Sequence, residues 1–169
     1  MNAARFSHWV YGKRKTSLGR AAAASLGTSF LDLDDEIEKQ TGESIRELFA
    51  KGETHFRARE REILTRVLDA TSRPAIIALG GGTWIQPEVQ ARVPASSVIF
   101  VDVPFELLAS RVRNSARPLA ADEQRFRELY HTRLPLYRTA GTTLKITQGE
   151  TPAESAKRLV HLIQQLKLE

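Results

Sequence analysis

Two short apolar runs limit the folds open to this 169-residue chain more than anything else in it. Residues 75–79 (A-I-I-A-L) and 98–101 (V-I-F-V) are apolar on both faces, so each reads as a strand buried on both sides. The first runs straight into Gly80, Gly81 and Gly82. The second, taken as a strand over 97–103, reaches Pro104 and an amphipathic helix extending to Arg111 or Arg113. Strands buried on both faces need a layer above and a layer below.

The remaining pattern supplies those layers. Weaker strands are expected at 6–11, 29–33 and 143–147, where 6–11 carries Ser7 and His8 in an otherwise apolar stretch. Helices are expected at 16–26 with Gly27 as its stop, at 35–41 ended by Gly42, and at 53–68. Further helices fall at 87–93, at 126–137 with Pro135 near its end, and at 153–166. Ser44-Ile45-Arg46-Glu47 has the form of a capping box, with Leu48 and Phe49 expected to anchor the turn to the core. Strands alternating with helices at this spacing indicate an α/β fold with a parallel sheet and helices on both faces. Residues 114–122 lack apolar periodicity and have the length of an active-site cover.

Composition narrows the chemistry. A hydrophobic share of 41% suffices for one core, so a single domain over 1–169 is expected. The net charge of +5 suits an anionic partner, but the basic residues alternate with acids instead of forming a stripe, which argues against nucleic acid. Absence of cysteine excludes disulfides, a thiol nucleophile and Cys-ligated zinc, and the four histidines lie at no metal-binding spacing. No run is long and apolar enough for a bilayer, so the expectation is a cytoplasmic protein, monomeric and without a membrane partner.

Three stretches carry chemistry. The segment 12–20, G-K-R-K-T-S-L-G-R, puts Lys15 and Thr16 at the mouth of a helix. Unpaired N–H groups there, with an ammonium and a hydroxyl, suit a polyphosphate and its Mg²⁺. Asp32 and Asp34, two apart at the end of a strand, are expected to point the same way, one toward Mg²⁺ and one toward a substrate hydroxyl. In a parallel sheet these residues and the triple glycine share the rim at the carboxyl ends of the strands. Two carboxylates beside a lysine and a threonine favour a kinase.

The same residues resemble the shikimate kinase family over nearly the whole chain. The family's D-x-D is matched by Asp32-Leu33-Asp34, its G-x-S-I-x-x-[IL]-F by 42–49, and its G-E-x-x-F-R-x-x-E by 52–60. The G-G-G turn is Gly80 to Gly82, the lid motif R-P-L is 117–119, and R-x-P-L-Y is 133–137. Six ordered matches of this length are highly specific. The resemblance implies a three-layer P-loop kinase fold of the nucleoside monophosphate kinase-like kind, with strand order 2-3-1-4-5. It implies an acceptor-binding helical region at 34–62 and a lid at 114–123. The implied reaction transfers the γ-phosphoryl group of ATP to the 3-hydroxyl of shikimate, with Mg²⁺.

By the same resemblance Asp34, Arg57, Gly80, Gly81, Gly82 and Arg133 are the shikimate contacts, and Lys15, Asp34 and Arg117 the catalytic set. Gly12, Lys13, Arg14, Lys15, Thr16, Ser17 and Arg117 belong to ATP, and Thr16 and Asp32 to the metal. The chain departs from the family in its phosphate loop. The family's G-x-x-G-x-G-K-[ST] reads here as Trp9-Val10-Tyr11-Gly12-Lys13-Arg14-Lys15-Thr16, so two of three glycines are large side chains. A glycine-only conformation at position 14 would strain Arg14 by about 1–3 kcal/mol. This departure motivates a second reading, an inactive shikimate-binding or protein-interaction module with impaired ATP binding.

Overall fold

A computed structural model describes residues 6–9, 14–70, 73–107 and 123–166, with backbone alone for 6–9, 14, 123 and 126. Five parallel strands form one sheet: β1 (Phe6–Trp9), β2 (Ser29–Asp32), β3 (Ala75–Leu79), β4 (Val98–Asp102) and β5 (Thr142–Lys145). Their order is β2-β3-β1-β4-β5, as the family resemblance implies. The register pairs Phe6 with Ile76 on one side of β1, and Ser7 with Val98 on the other. Despite its polar residues, β1 is therefore the central strand.

The helices that lie wholly within the described residues are α1 (Arg14–Leu26), α2 (Leu33–Thr41), α3 (Ile45–Ala50), α4 (Glu53–Ala70), α5 (Pro87–Arg92), α6 (Glu123–Tyr137) and α7 (Pro152–Leu166); the helix expected from Pro104 is described only over 105–107. They cover the sheet as two separate apolar layers, which the strand pleat creates. Ala75, Ile77 and Leu79 of β3, with Val98 and Phe100 of β4, face α2, α3, α4 and α5. Ile76 of β3, with Ile99 and Val101 of β4, faces α1 and α7. Buried Trp84 belongs to the first layer, and its indole N–H reaches Thr139 Oγ1 at 3.1 Å, so it is core and not pocket wall.

Local chemistry sets several boundaries. The capping box is present: Ser44 Oγ accepts from Glu47 N–H, and the Glu47 carboxylate accepts from Ser44 N–H at 2.7 Å. Gly42 ends α2 in the left-handed conformation, φ 72°. The largest departure from expectation lies at 29–35. The strand stops at Asp32 instead of Leu33, because Asp32 caps α2 by accepting the Asp34 N–H at 3.1 Å. Leu33 then becomes the first helical residue and is fully buried. Asp32 and Asp34 thus sit on a strand end and a helix start, not on one strand face.

Smaller shifts follow the same logic. Ser97 belongs to a 3₁₀ turn over Ala95–Ser97, so β4 starts at Val98. Phe49, expected in the core, is 40% exposed, while Leu48 beside it is buried. Arg14 opens α1, and among the described residues no non-glycine has positive φ, so the start of this helix demands no glycine-only backbone at position 14.

Candidate active site

The sheet order reverses around β1, and the carboxyl ends of β2, β3 and β1 lie side by side. This is the place where open parallel sheets bind ligands. Lys15 and Thr16 lie in the first turn of α1. Lys15 Nζ is 2.8 Å from Asp34 Oδ2, 3.9 Å from Asp32 Oδ1, and within 3.5 Å of the Leu79 carbonyl. Thr16 Oγ1 donates to Asp32 Oδ2 at 2.6 Å. Asp32 and Asp34 therefore do converge, by way of a cap and a helical turn.

Negative charge accumulates at this corner. The Asp35 carboxyl is held above the usual carboxylate range, first by burial and then by the charges of Asp32, Asp34 and Glu38, against the opposing pull of Arg20. A hydroxyl paired with a carboxylate in such a field is a donor set of hard oxygens. Mg²⁺ is commonly held through one or two carboxylates, waters and substrate phosphates, and Thr16 with Asp32 fits that use.

Beside this corner opens a cleft of about 770 Å³. Asp34, Arg57, Gly80, Gly81, Gly82 and Arg133, the six residues expected to contact an acceptor, all line it. Arg57 comes from α4, where Nη1 donates to Glu60 Oε2 at 2.7 Å and Nη2 to Glu53 Oε1 at 3.3 Å. Its guanidinium also lies over the rings of Phe56 at 4.9 Å and Phe49 at 5.6 Å. Those two rings stack with centroids 4.2 Å apart, which explains why Phe49 leaves the core and faces the cleft. Arg133 arrives from α6, together with Arg125, Glu128 and Thr132. The cleft is thus walled by three arginines, four carboxylates, apolar rings and bare backbone, a surface with partners for both the carboxylate and the hydroxyls of a small hydroxylated acid.

The glycine turn is fixed from beneath. Tyr137, buried as expected, donates its hydroxyl to the Gly81 carbonyl at 2.5 Å. A Cβ on Gly82 would fall 2.5 Å from Arg57 Cζ and 2.7 Å from Nη1, so this position is bare because the arginine occupies the space. Below the turn lies a buried polar group that sequence reasoning missed. Glu60 is 0% exposed and accepts from Arg57, from Thr83 Oγ1 at 2.7 Å and from Gln86 Nε2 at 2.6 Å. Its only signal was its place in 52–60, three residues after Arg57 on the same helical face.

On the donor side, Ser17 is exposed on α1. Gly12, Lys13 and Arg117, and the expected lid but for Glu123, lie outside the described residues, and Arg14 is described by backbone alone. No described helix is long and apolar enough to cross a membrane.

Known proteins resemble this chain in sequence and in fold. The family model described as shikimate kinase matches residues 12–164. The shikimate kinase of Thermobifida fusca is 38% identical over 150 residues, covering 86% of each chain. That of Nostoc punctiforme is 37% identical over 159 residues, covering 91% of this chain and 87% of the relative. Among solved structures, shikimate kinase from Acinetobacter baumannii in complex with shikimate superposes with a TM-score of 0.82 at 33% identity, over 98% of this chain and 94% of that one.

Proposed function

Because this chain belongs to the shikimate kinase family, we propose that it transfers the γ-phosphoryl group of ATP to the 3-hydroxyl of shikimate. The observation carrying the reading is the joint one: six expected acceptor residues line one cleft, and Lys15, Thr16 and Asp32 stand at its edge. Arg57 and Arg133 clamp the substrate carboxylate with planar N–H donors, Phe49 and Phe56 pack against the ring, and the glycine turn lets the substrate approach the backbone. Asp34 orients the attacking hydroxyl and accepts its proton as the new O–P bond forms and the γ-phosphorus separates from the β–γ bridging oxygen. Lys15, released from Asp34, moves to the phosphates, and Arg117 closes over them from the lid at 114–123. Thr16 and Asp32 would hold Mg²⁺, which would supply positive charge against the phosphates.

In this reading residues 1–169 form one domain, with 34–62 as its acceptor-binding helical region. The working unit in this reading is a monomer. The test is an assay coupling ADP release to shikimate addition. Turnover that depends on both shikimate and ATP is expected; no shikimate-dependent turnover with ATP, GTP or another donor would sink the proposal.

One observation favours a second reading. Trp9 and Arg14 occupy glycine positions of the phosphate loop, which suits a chain that binds shikimate without using ATP. Calorimetry separates the two: shikimate binding with no ATP·Mg²⁺ binding identifies the module. Regained nucleotide affinity in the double variant Trp9→Gly, Arg14→Gly would then locate the loss in this loop.

A further inference from the structure

Behind Arg57 lies a polar relay that the reaction just described does not use. Gln86 is buried at the N-cap position of α5, yet its side chain makes no capping bond to a helix that begins with Pro87. Its amide points the other way. Nε2 donates to Glu60 Oε2 at 2.6 Å and to the Gly82 carbonyl at 3.2 Å, while Oε1 accepts from Arg61 Nη1 at 2.7 Å. Only this orientation works, because a flipped amide would turn its NH₂ on the guanidinium and its oxygen on the carboxylate. A carboxylate at position 86 would satisfy Arg61 but neither Glu60 nor the Gly82 carbonyl, and an ammonium would satisfy those two but not Arg61.

Glu60 Oε2 is shared between Gln86 and Arg57 Nη1. The amide therefore competes with the arginine for that oxygen and limits how completely Glu60 neutralises the guanidinium. We propose that Gln86 is a positioning residue for the acid end of the acceptor: it holds Glu60 and the Gly82 carbonyl so that Arg57 keeps charge and direction for an incoming carboxylate. Without the amide, Arg57 closes onto Glu60 and the glycine turn loses a tether. Arg61 acts on the same relay from its partly exposed outer end, where it also lies 4.0 Å from Glu88.

The inference rests on the shikimate kinase reading, so wild type is measured first, by shikimate calorimetry and steady-state kinetics on the full chain. Gln86→Met keeps the side-chain length and removes both hydrogen-bonding functions. It is expected to weaken shikimate binding and raise its KM about tenfold, with kcat and the KM for ATP changed less than about twofold. Gln86→Glu, which sets a second carboxylate against Glu60, should weaken shikimate more. Arg61→Met breaks only the outer link and leaves the buried amide in place, so it tests the relay even if both Gln86 variants misfold; about a two- to threefold weakening is expected. Unchanged shikimate affinity in the folded variants overturns the inference, as does an equal fall in kcat and in affinity for both substrates, the mark of general damage. A wild type that binds no shikimate overturns the functional reading itself, and is recognised before any variant is made.

Discussion

Gly82 shows how one missing methyl shapes a binding site. A triple glycine after a parallel strand reads as backbone left open to a ligand. At Gly82 the open space is filled by the protein's own Arg57. The clashing atoms belong to the end of a flexible side chain, so Gly82→Ala is expected to fold while displacing the guanidinium, at a cost of about 1–3 kcal/mol because buried Glu60 loses its cation in part. Shikimate affinity should fall at least about tenfold with the fold retained; calorimetry beside a melting curve checks both. Glu60 illustrates what sequence withholds at this scale. Arg57–Glu60 and Arg59–Glu62 are both i,i+3 pairs on α4, at 2.7 and 2.8 Å, and read alike. The first carboxylate is buried and the second half-exposed, because the tertiary packing of α4 decides which pair turns inward.

Among elements, the junction between β5 and α7 is tied by the carboxylate of Glu150. Burial raises the Glu150 pKa, but donors outweigh it: the Thr147 N–H at 2.9 Å, Ser155, the Thr147 hydroxyl and Arg158 hold the group below the usual glutamate range. A depressed folded pKa contributes stability that is complete above the unfolded value, about 4.3, and is lost as pH falls through the folded value. Glu150→Gln should therefore lower stability at pH 7 by about 1 kcal/mol, solvent screening included, and lose less of it on acidification below pH 4. Urea unfolding across that pH range measures both effects. Element types were legible where periodicity was strong: 75–79 holds without adjustment, and α3 begins where its capping box predicts. Boundaries moved where a side chain competed with the pattern. Asp32 as a cap ended β2 one residue early and carried Asp34 into a helix, yet the two carboxylates still met Lys15, so the site was legible through a partly wrong local structure. The centrality of β1 was legible only through the strand order that the family resemblance implies, since Ser7 and His8 obscure a strand that pairing on both sides defines.

At the scale of the molecule, the sheet separates two apolar layers with different duties. The cleft residues Phe56, Arg57 and Glu60 ride on α4 against one face, while the helix carrying Lys15 and Thr16 packs with α7 against the other. Leu159→Ala, at a fully buried position of α7, is expected to cost about 2–5 kcal/mol while leaving shikimate affinity of the native protein within about twofold. Chemical denaturation and calorimetry below the unfolding range check the two halves. Such a partition gives the lineage freedom. Substitutions can accumulate at the end of β1 and along α1, Trp9 and Arg14 among them, without unpacking the wall proposed to recognise the acid. The two halves of this scaffold can drift, or be redesigned, at different rates: the donor side can be rebuilt for another phosphate source while the acceptor cleft is inherited intact.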